Sequence, residues 1–251
     1  MSADNKKLFG VIVCDSQAKW GGPEGIAQRI KDLMSKDGEV WKTFIAEQGE
    51  FPSEQDLETF EGVYITGSKH SVNDDGLLWI QKLESFIKKT YQLKRPKVFG
   101  TCFGHQAIGK ALGGKVTKNP SNTFVCNNEK IVVSESSSDS SFLKDVKNIS
   151  EAKPFRMLQS HGECLSELPK NAESVASSES CANEIVLYSE NIIGMQSHAD
   201  FFVEDLADVI IPSLFEREII NKKEFDEASE SLKLPNCSGD LAKAIRDFLK
   251  S

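Results

Sequence analysis

Cys102 stands in the run FGTCFGHQAIGKALGG (99–114), with Gly100 two residues before it and Gly104 two residues after. An apolar, strand-like run ends at this cysteine, and a helical stripe of Ala107, Ile108, Ala111 and Leu112 begins just beyond it. A strand that turns directly into a helix crowds the atoms around the turn, and glycine removes the side chains that would collide there. Such a turn lifts the sulfur out of the sheet. It also aims the first amides and the positive end of the helix at the reacting atoms. Those groups stabilise both a thiolate and an oxyanion forming on a carbonyl. The pattern predicts a nucleophilic cysteine; the competing reading is a merely buried thiol.

A nucleophilic thiol needs an imidazole partner, and the chain has four histidines. His105 lies one helical turn past Cys102, with its direction set by packing. His70 follows the TGS loop, and His161 closes the run MLQSHG. His198, in GMQSHADF, follows an apolar run and has Asp200 two residues on. A carboxylate at that offset can hold the ring in its useful tautomer. His198 is therefore the preferred base and Asp200 its orienting partner. Cys14, Cys126, Cys164, Cys181 and Cys237 lack any comparable setting and read as structural. No CxxC pair and no histidine spacing suggests zinc.

The elements that must position these groups alternate. LFGVIVC (8–14), VWKTFIAE (40–47), GVYITGS (62–68) and KVFGT (97–101) read as strands. Residues 21–36 and 77–93 carry helical spacing, the first through Ile26, Ile30, Leu33 and Met34. Alternating strands and helices imply a parallel sheet covered on both faces, with ligands bound beyond the carboxyl ends of the strands. The TGS loop and the GTCFG turn fall at such ends. The serine-rich segment 131–145 reads as an exposed loop. Runs at 157–162, 172–178, 184–189 and 191–198 read as short strands, and residues 202–251 as mostly helical. We expect a single domain, with an α/β core over 1–200 and C-terminal helices over 201–251.

The 30 basic and 38 acidic residues leave a charge of −8, which argues against nucleic acid as a partner. No apolar run reaches membrane-span length and no signal-peptide pattern opens the chain, so no membrane association is expected. Scattered cysteines read as reduced thiols, giving a cytoplasmic expectation.

GTCFGHQ, QSHGECLSELP and IIGMQSHADF, in this order, resemble the class I glutamine amidotransferase superfamily. The chain is similar, more narrowly, to plant γ-glutamyl peptidases and their stand-alone relatives. The resemblance implies a flavodoxin-like, doubly wound, mainly parallel sheet. It implies Cys102 as nucleophile, His198 as base and Asp200 as third member. The amide of Phe103 would form half of an oxyanion hole, with Gly67 or Ser68 as the other half. Gln106 would help hold a glutamyl group, and His161 would line the pocket. The implied activity is hydrolysis of γ-glutamyl amide bonds through a thioester, without metal or organic cofactor, on a small-molecule γ-glutamyl substrate. A glutaminase subunit delivering ammonia to a separate synthetase and a catalytically impaired binding or regulatory relative are the alternatives, and a synthetase partner or a homo-oligomer stays open. Two departures stand out. The family's usual H-P-E around the base is H-A-D here, which shortens the carboxylate by about 1.5 Å and removes a proline from the turn. Cys164, three residues past His161, is expected to alter the pocket.

Overall fold

The computed structural model describes residues 6–136 and 138–251. The first half is strand-helix alternation: β1 (Lys7–Val13), α1 (Gly22–Met34), β2 (Glu39–Ile45), α2 (Glu54–Thr59), β3 (Phe60–Ile65), α3 (Leu78–Leu93), β4 (Lys97–Thr101) and α4 (Phe103–Ala111). Then follow β5 (Lys115–Lys118), β6 (Val125–Lys130), β7 (Val132–Val133), α5 (Ser141–Ala152), β8 (Arg156–His161), β9 (Glu163–Glu167), β10 (Glu173–Ser177), β11 (Ile185–Ser189) and β12 (Ile192–Met195). The tail holds a π-helical stretch, Asp205–Ile210, and α6 (Ile211–Glu216), α7 (Lys222–Ser231) and α8 (Ser238–Leu249).

Eight strands form one sheet in the order β2-β1-β3-β4-β12-β11-β10-β7. The first five run parallel, and β11, β10 and β7 continue antiparallel at one edge. Two small antiparallel pairs, β5–β9 and β6–β8, stand apart from it. The expected α/β, mainly parallel sheet is present.

Burial explains the central strands. Val11, Ile12 and Val13 of β1 are all fully buried, because each face of the sheet carries helices. On one face α1, α5 and α8 contribute Ile30, Phe142 and Leu241 to a common cluster with Val11, Tyr64 and Phe99. On the other, α3 and α4 pack Leu83 and Ile108 against Ile12, Val63 and Val98. A third cluster joins Leu158 to Leu206, Ile210 and Leu214 of the tail, with Trp20, Phe124 and Phe201 against it. This last cluster brings the tail onto the carboxyl ends of the parallel strands.

The serine-rich segment differs from its expected form. Val132–Val133 pairs with β10 as an edge strand, and Ser140 caps α5, its side chain accepting the Leu143 amide at 3.2 Å. Serine here serves as a helix start as well as a loop former. Among the described residues, no helix is long and apolar enough to cross a membrane.

Candidate active site

Cys102 occupies the single residue between β4 and α4, with φ 50° and ψ −107°. A non-glycine residue at positive φ stores strain, which persists only where the surroundings impose it. The surroundings here are the two flanking glycines. A Cβ on Gly100 would lie 2.6 Å from the Gly104 carbonyl carbon, and one on Gly104 would lie 2.5 Å from the Ile65 oxygen. The helix start is thus pressed against both β3 and β4. Gly104→Ala should lower stability by about 1–3 kcal/mol, because a backbone oxygen must move to admit the methyl group; thermal denaturation reads this directly.

His198 reaches the same place from β12 by way of Gln196 and Ser197. Its amide donates to the Leu158 oxygen at 2.9 Å, which ties it to β8. The ring lies flat on Phe201, with centroids 3.8 Å apart. Nδ1 and the Asp200 carboxylate are 3.1 Å apart, and both side chains are buried. A Cβ on Gly67 would meet His198 Cε1 at 3.3 Å and Cys102 Cβ at 3.7 Å, so ring, thiol side chain and TGS loop converge. Burial opposes charge on the ring. Asp200 and the Cys102 sulfur outweigh it and push the His198 pKa up to about 10. Among the described residues, Nε2 has no partner within hydrogen-bond distance, and the sulfur's support of the ring comes first from charge and then from a contact still longer than a closed hydrogen bond. Such bonds are often long until substrate arrives.

These groups line a cleft of about 580 Å³. Gly67, Ser68, Phe103, Gln106 and His161 line it as well. Among the described residues, the amides of Gly67, Ser68 and Phe103 donate to no protein acceptor. Gln106 spends its amide nitrogen on the Glu163 oxygen at 2.8 Å and on Gln196 Oε1 at 3.0 Å. His161 Nδ1 sits 2.9 Å from Asn119 Oδ1 and 3.1 Å from the Glu163 oxygen, and its buried Nε2 has no partner among the described residues. Burial, then the charge of His198, lowers its pKa to about 3, which keeps this ring neutral.

The remaining histidines lie elsewhere. His105 is fully buried behind the turn, 3.0 Å from the Tyr188 hydroxyl, and burial drives its pKa down to about 3. His70 lines the cleft but faces Glu47 at 3.3 Å. Cys164, expected to alter the pocket, is buried in β9 against Cys181 and does not line the cleft; its neighbour Glu163 does.

The family described as Glutamine amidotransferase class-I matches residues 27–211. The chain belongs to this family. It is 31% identical to gamma-glutamyl peptidase 4 of Arabidopsis thaliana, over 100% of this chain and 97% of that one. Gamma-glutamyl peptidase 3 of the same plant is 26% identical over 98% of both chains. In structure, a glutamine amidotransferase from Thermotoga maritima superposes with TM-score 0.71 at 18% identity, covering 97% of this chain and 99% of that one.

For a class I amidotransferase chain, the H-A-D departure turns out to be small in geometry. Asp200 touches the imidazole directly, with no gap for a bridging water. The turn that lacks a proline is held by Arg29 of α1, which sequence reasoning missed. Its guanidinium pairs with the Asp205 carboxylate and donates to the Asp200 oxygen at 3.3 Å, while Asp205 accepts the Phe202 amide at 2.7 Å. Gln196 was missed too. It is fully buried and donates from Nε2 to the Cys102 sulfur at 3.6 Å. Its signal was present, two residues before the preferred base, but a glutamine in an apolar run has many other uses. Gln196→Leu should slow alkylation of Cys102 by iodoacetamide about tenfold, the worth of one hydrogen bond to a charged acceptor.

Proposed function

We propose that this protein hydrolyses γ-glutamyl amide bonds of small peptides through a Cys102 thioester. The observation that carries the reading is the convergence of a strained thiol, a charged imidazole and three unspent amides in one cleft. The full-length likeness to gamma-glutamyl peptidases supplies the substrate class. The Cys102 thiolate adds to the γ-carbonyl carbon, and the carbonyl electron pair moves onto oxygen. Amides of Phe103 and the Gly67–Ser68 loop hold that oxyanion; losing one such donor costs about 3–4 kcal/mol. The C–N bond breaks as His198 gives its proton to the leaving nitrogen, and the amine departs. The ring, now neutral, takes a proton from water, whose oxygen attacks the thioester and releases glutamate. Asp200 orients the ring throughout and stabilises it whenever it is charged.

His161 has a definite hydrogen-bonding role in this scheme. Both neighbours of Nδ1 are acceptors, so the neutral ring carries its proton there and keeps a lone pair on Nε2. That lone pair suits the ammonium of the glutamyl group. Gln106 acts from behind, orienting Gln196 and the Glu163 segment.

Free glutamate, measured after incubation with glutamine or with γ-glutamyl peptides, tests the reading. Release selective for peptides supports it. Release selective for glutamine replaces it with a glutaminase, and no release from either leaves a binding protein.

A further inference from the structure

We propose that the outer half of the cleft is a carboxylate site, in which Lys19 and Arg217 hold the terminal carboxylate of the peptide that leaves; this rests on the hydrolase reading above. At about 580 Å³ the cleft is of the size that holds drug-sized ligands, well beyond one glutamyl group. Four of its lining residues are lysine or arginine: Lys19, Arg29, Lys69 and Arg217. Arg29 is spent on Asp205 and the Asp200 oxygen. Among the described residues, Lys19 and Arg217 form no ion pair and no side-chain hydrogen bond, although exposed lysines elsewhere on the surface pair with carboxylates.

Their placement follows from the fold. Lys19 lies in the short 3-10 turn Ala18–Trp20 after β1, and Arg217 follows α6 in the tail, so separate elements bring two cations to one mouth. They are close enough to repel. Burial lowers the Lys19 pKa most; Asp15 raises it, and Arg217 lowers it by less than Asp15 raises it. Asp15, held in place by bonds from Gln17 N at 3.0 Å and Gln17 Nε2 at 2.6 Å, offers one negative charge to the two cations. An incoming carboxylate would relieve that repulsion.

An aromatic path connects this mouth to the chemistry. Phe201 stacks on His198, Trp20 stacks on Phe201 at 5.5 Å, and the Lys19 ammonium lies 5.0 Å from the Trp20 ring centre. Two extended residues span roughly 7 Å, and a lysine stem adjusts by several more. A dipeptide leaving His198 along Trp20 therefore presents its carboxylate to Lys19 and Arg217, with its side chains against Phe124 and Leu214. Ammonia, the leaving group from glutamine, has no carboxylate for them to hold, and comparing a peptide acid with its amide separates this carboxylate from the α-carboxylate of the glutamyl group, which both share.

The probe is γ-Glu-Val-Gly as the free acid and as its C-terminal amide. Wild-type kcat/KM should favour the acid about tenfold, chiefly through KM, the scale expected for charge-assisted hydrogen bonds. The ratio should fall close to one in a Lys19→Gln/Arg217→Gln double variant and be kept by Lys19→Arg. Both side chains are exposed, so the fold should survive, which circular dichroism checks. A Cys102→Ala protein, titrated calorimetrically with the same two peptides, reads recognition without turnover. Equal affinity for acid and amide there, or a preference untouched by the double substitution, overturns the proposal. If neither peptide is hydrolysed, yet the Cys102→Ala protein binds the acid about tenfold tighter through Lys19 and Arg217, the carboxylate site stands and the hydrolase reading falls.

Discussion

Cys102→Ser should abolish glutamate release from γ-glutamyl peptides, by at least roughly 10⁴-fold, while leaving the melting temperature within a few degrees of the parent. The loss is large because nucleophile and base act as one unit, and removing either member costs about as much as removing both. A serine hydroxyl at this turn keeps the size and the backbone strain of the parent, but it is not ionised by an imidazolium at neutral pH. Stability should hold because the side chain makes only weak polar contacts, to the Ser160 oxygen at 3.7 Å and from Gln196 at 3.6 Å. Mass spectrometry gives an independent check, since the parent should accumulate a glutamyl adduct on quenching and the variant should not. Retention of more than a tenth of the parent rate would remove Cys102 from the chemistry.

Asp200→Asn should lower kcat by roughly a hundred- to a thousandfold and shift the alkaline limb of activity to lower pH. The asparagine keeps the shape but presents either a neutral acceptor or a donor to Nδ1, which favours the wrong tautomer. The sign follows from His198. Its pKa in the folded chain, about 10, lies above the unfolded value of 6.5, despite the burial that opposes it. The stability its charge contributes is therefore complete below pH 6.5 and is lost as pH rises through about 10. Removing the Asp200 charge takes away the chief support of that imidazolium. The variant should melt lower than the parent at pH 6–8, and the gap should close as pH passes 10. Asp200→Glu should also reduce activity, by up to about a hundredfold, because the aspartate already sits 3.1 Å from the ring and an added methylene displaces one partner or the other. A gain in rate would show that the observed contact is not the working one.

Much of this fold could be read along the chain. Strand β4, expected at 97–101, lies at Lys97–Thr101, and the helix expected at 77–93 lies at Leu78–Leu93. Both have long or continuous apolar patterns that survive any tertiary setting. α2 went unread because it buries only Leu57; its real signal is the capping box of Ser53 and Asp56. β5, β6 and β9 went unread because their sequences, such as VCNNEK, mix polar and apolar residues without a period. They form antiparallel pairs off the main sheet.

The chain by itself determined the parallel sheet, through its alternating strand and helix patterns, and the turn at Cys102, through glycines at 100 and 104 that permit a close approach other residues would block. It also marked His198 and Asp200, which are neighbours along the backbone. Only the tertiary structure decided that Arg29, Lys19 and Arg217 line one cleft and that Gln196 is buried against Cys102. Those residues come from α1, the end of β12, the turn after β1 and the tail, and nothing in one-dimensional spacing records how separate elements meet. Their meeting is set by the packing of Trp20, Phe124 and Phe201 against Leu158 and Leu206, where the tail closes over the strand ends.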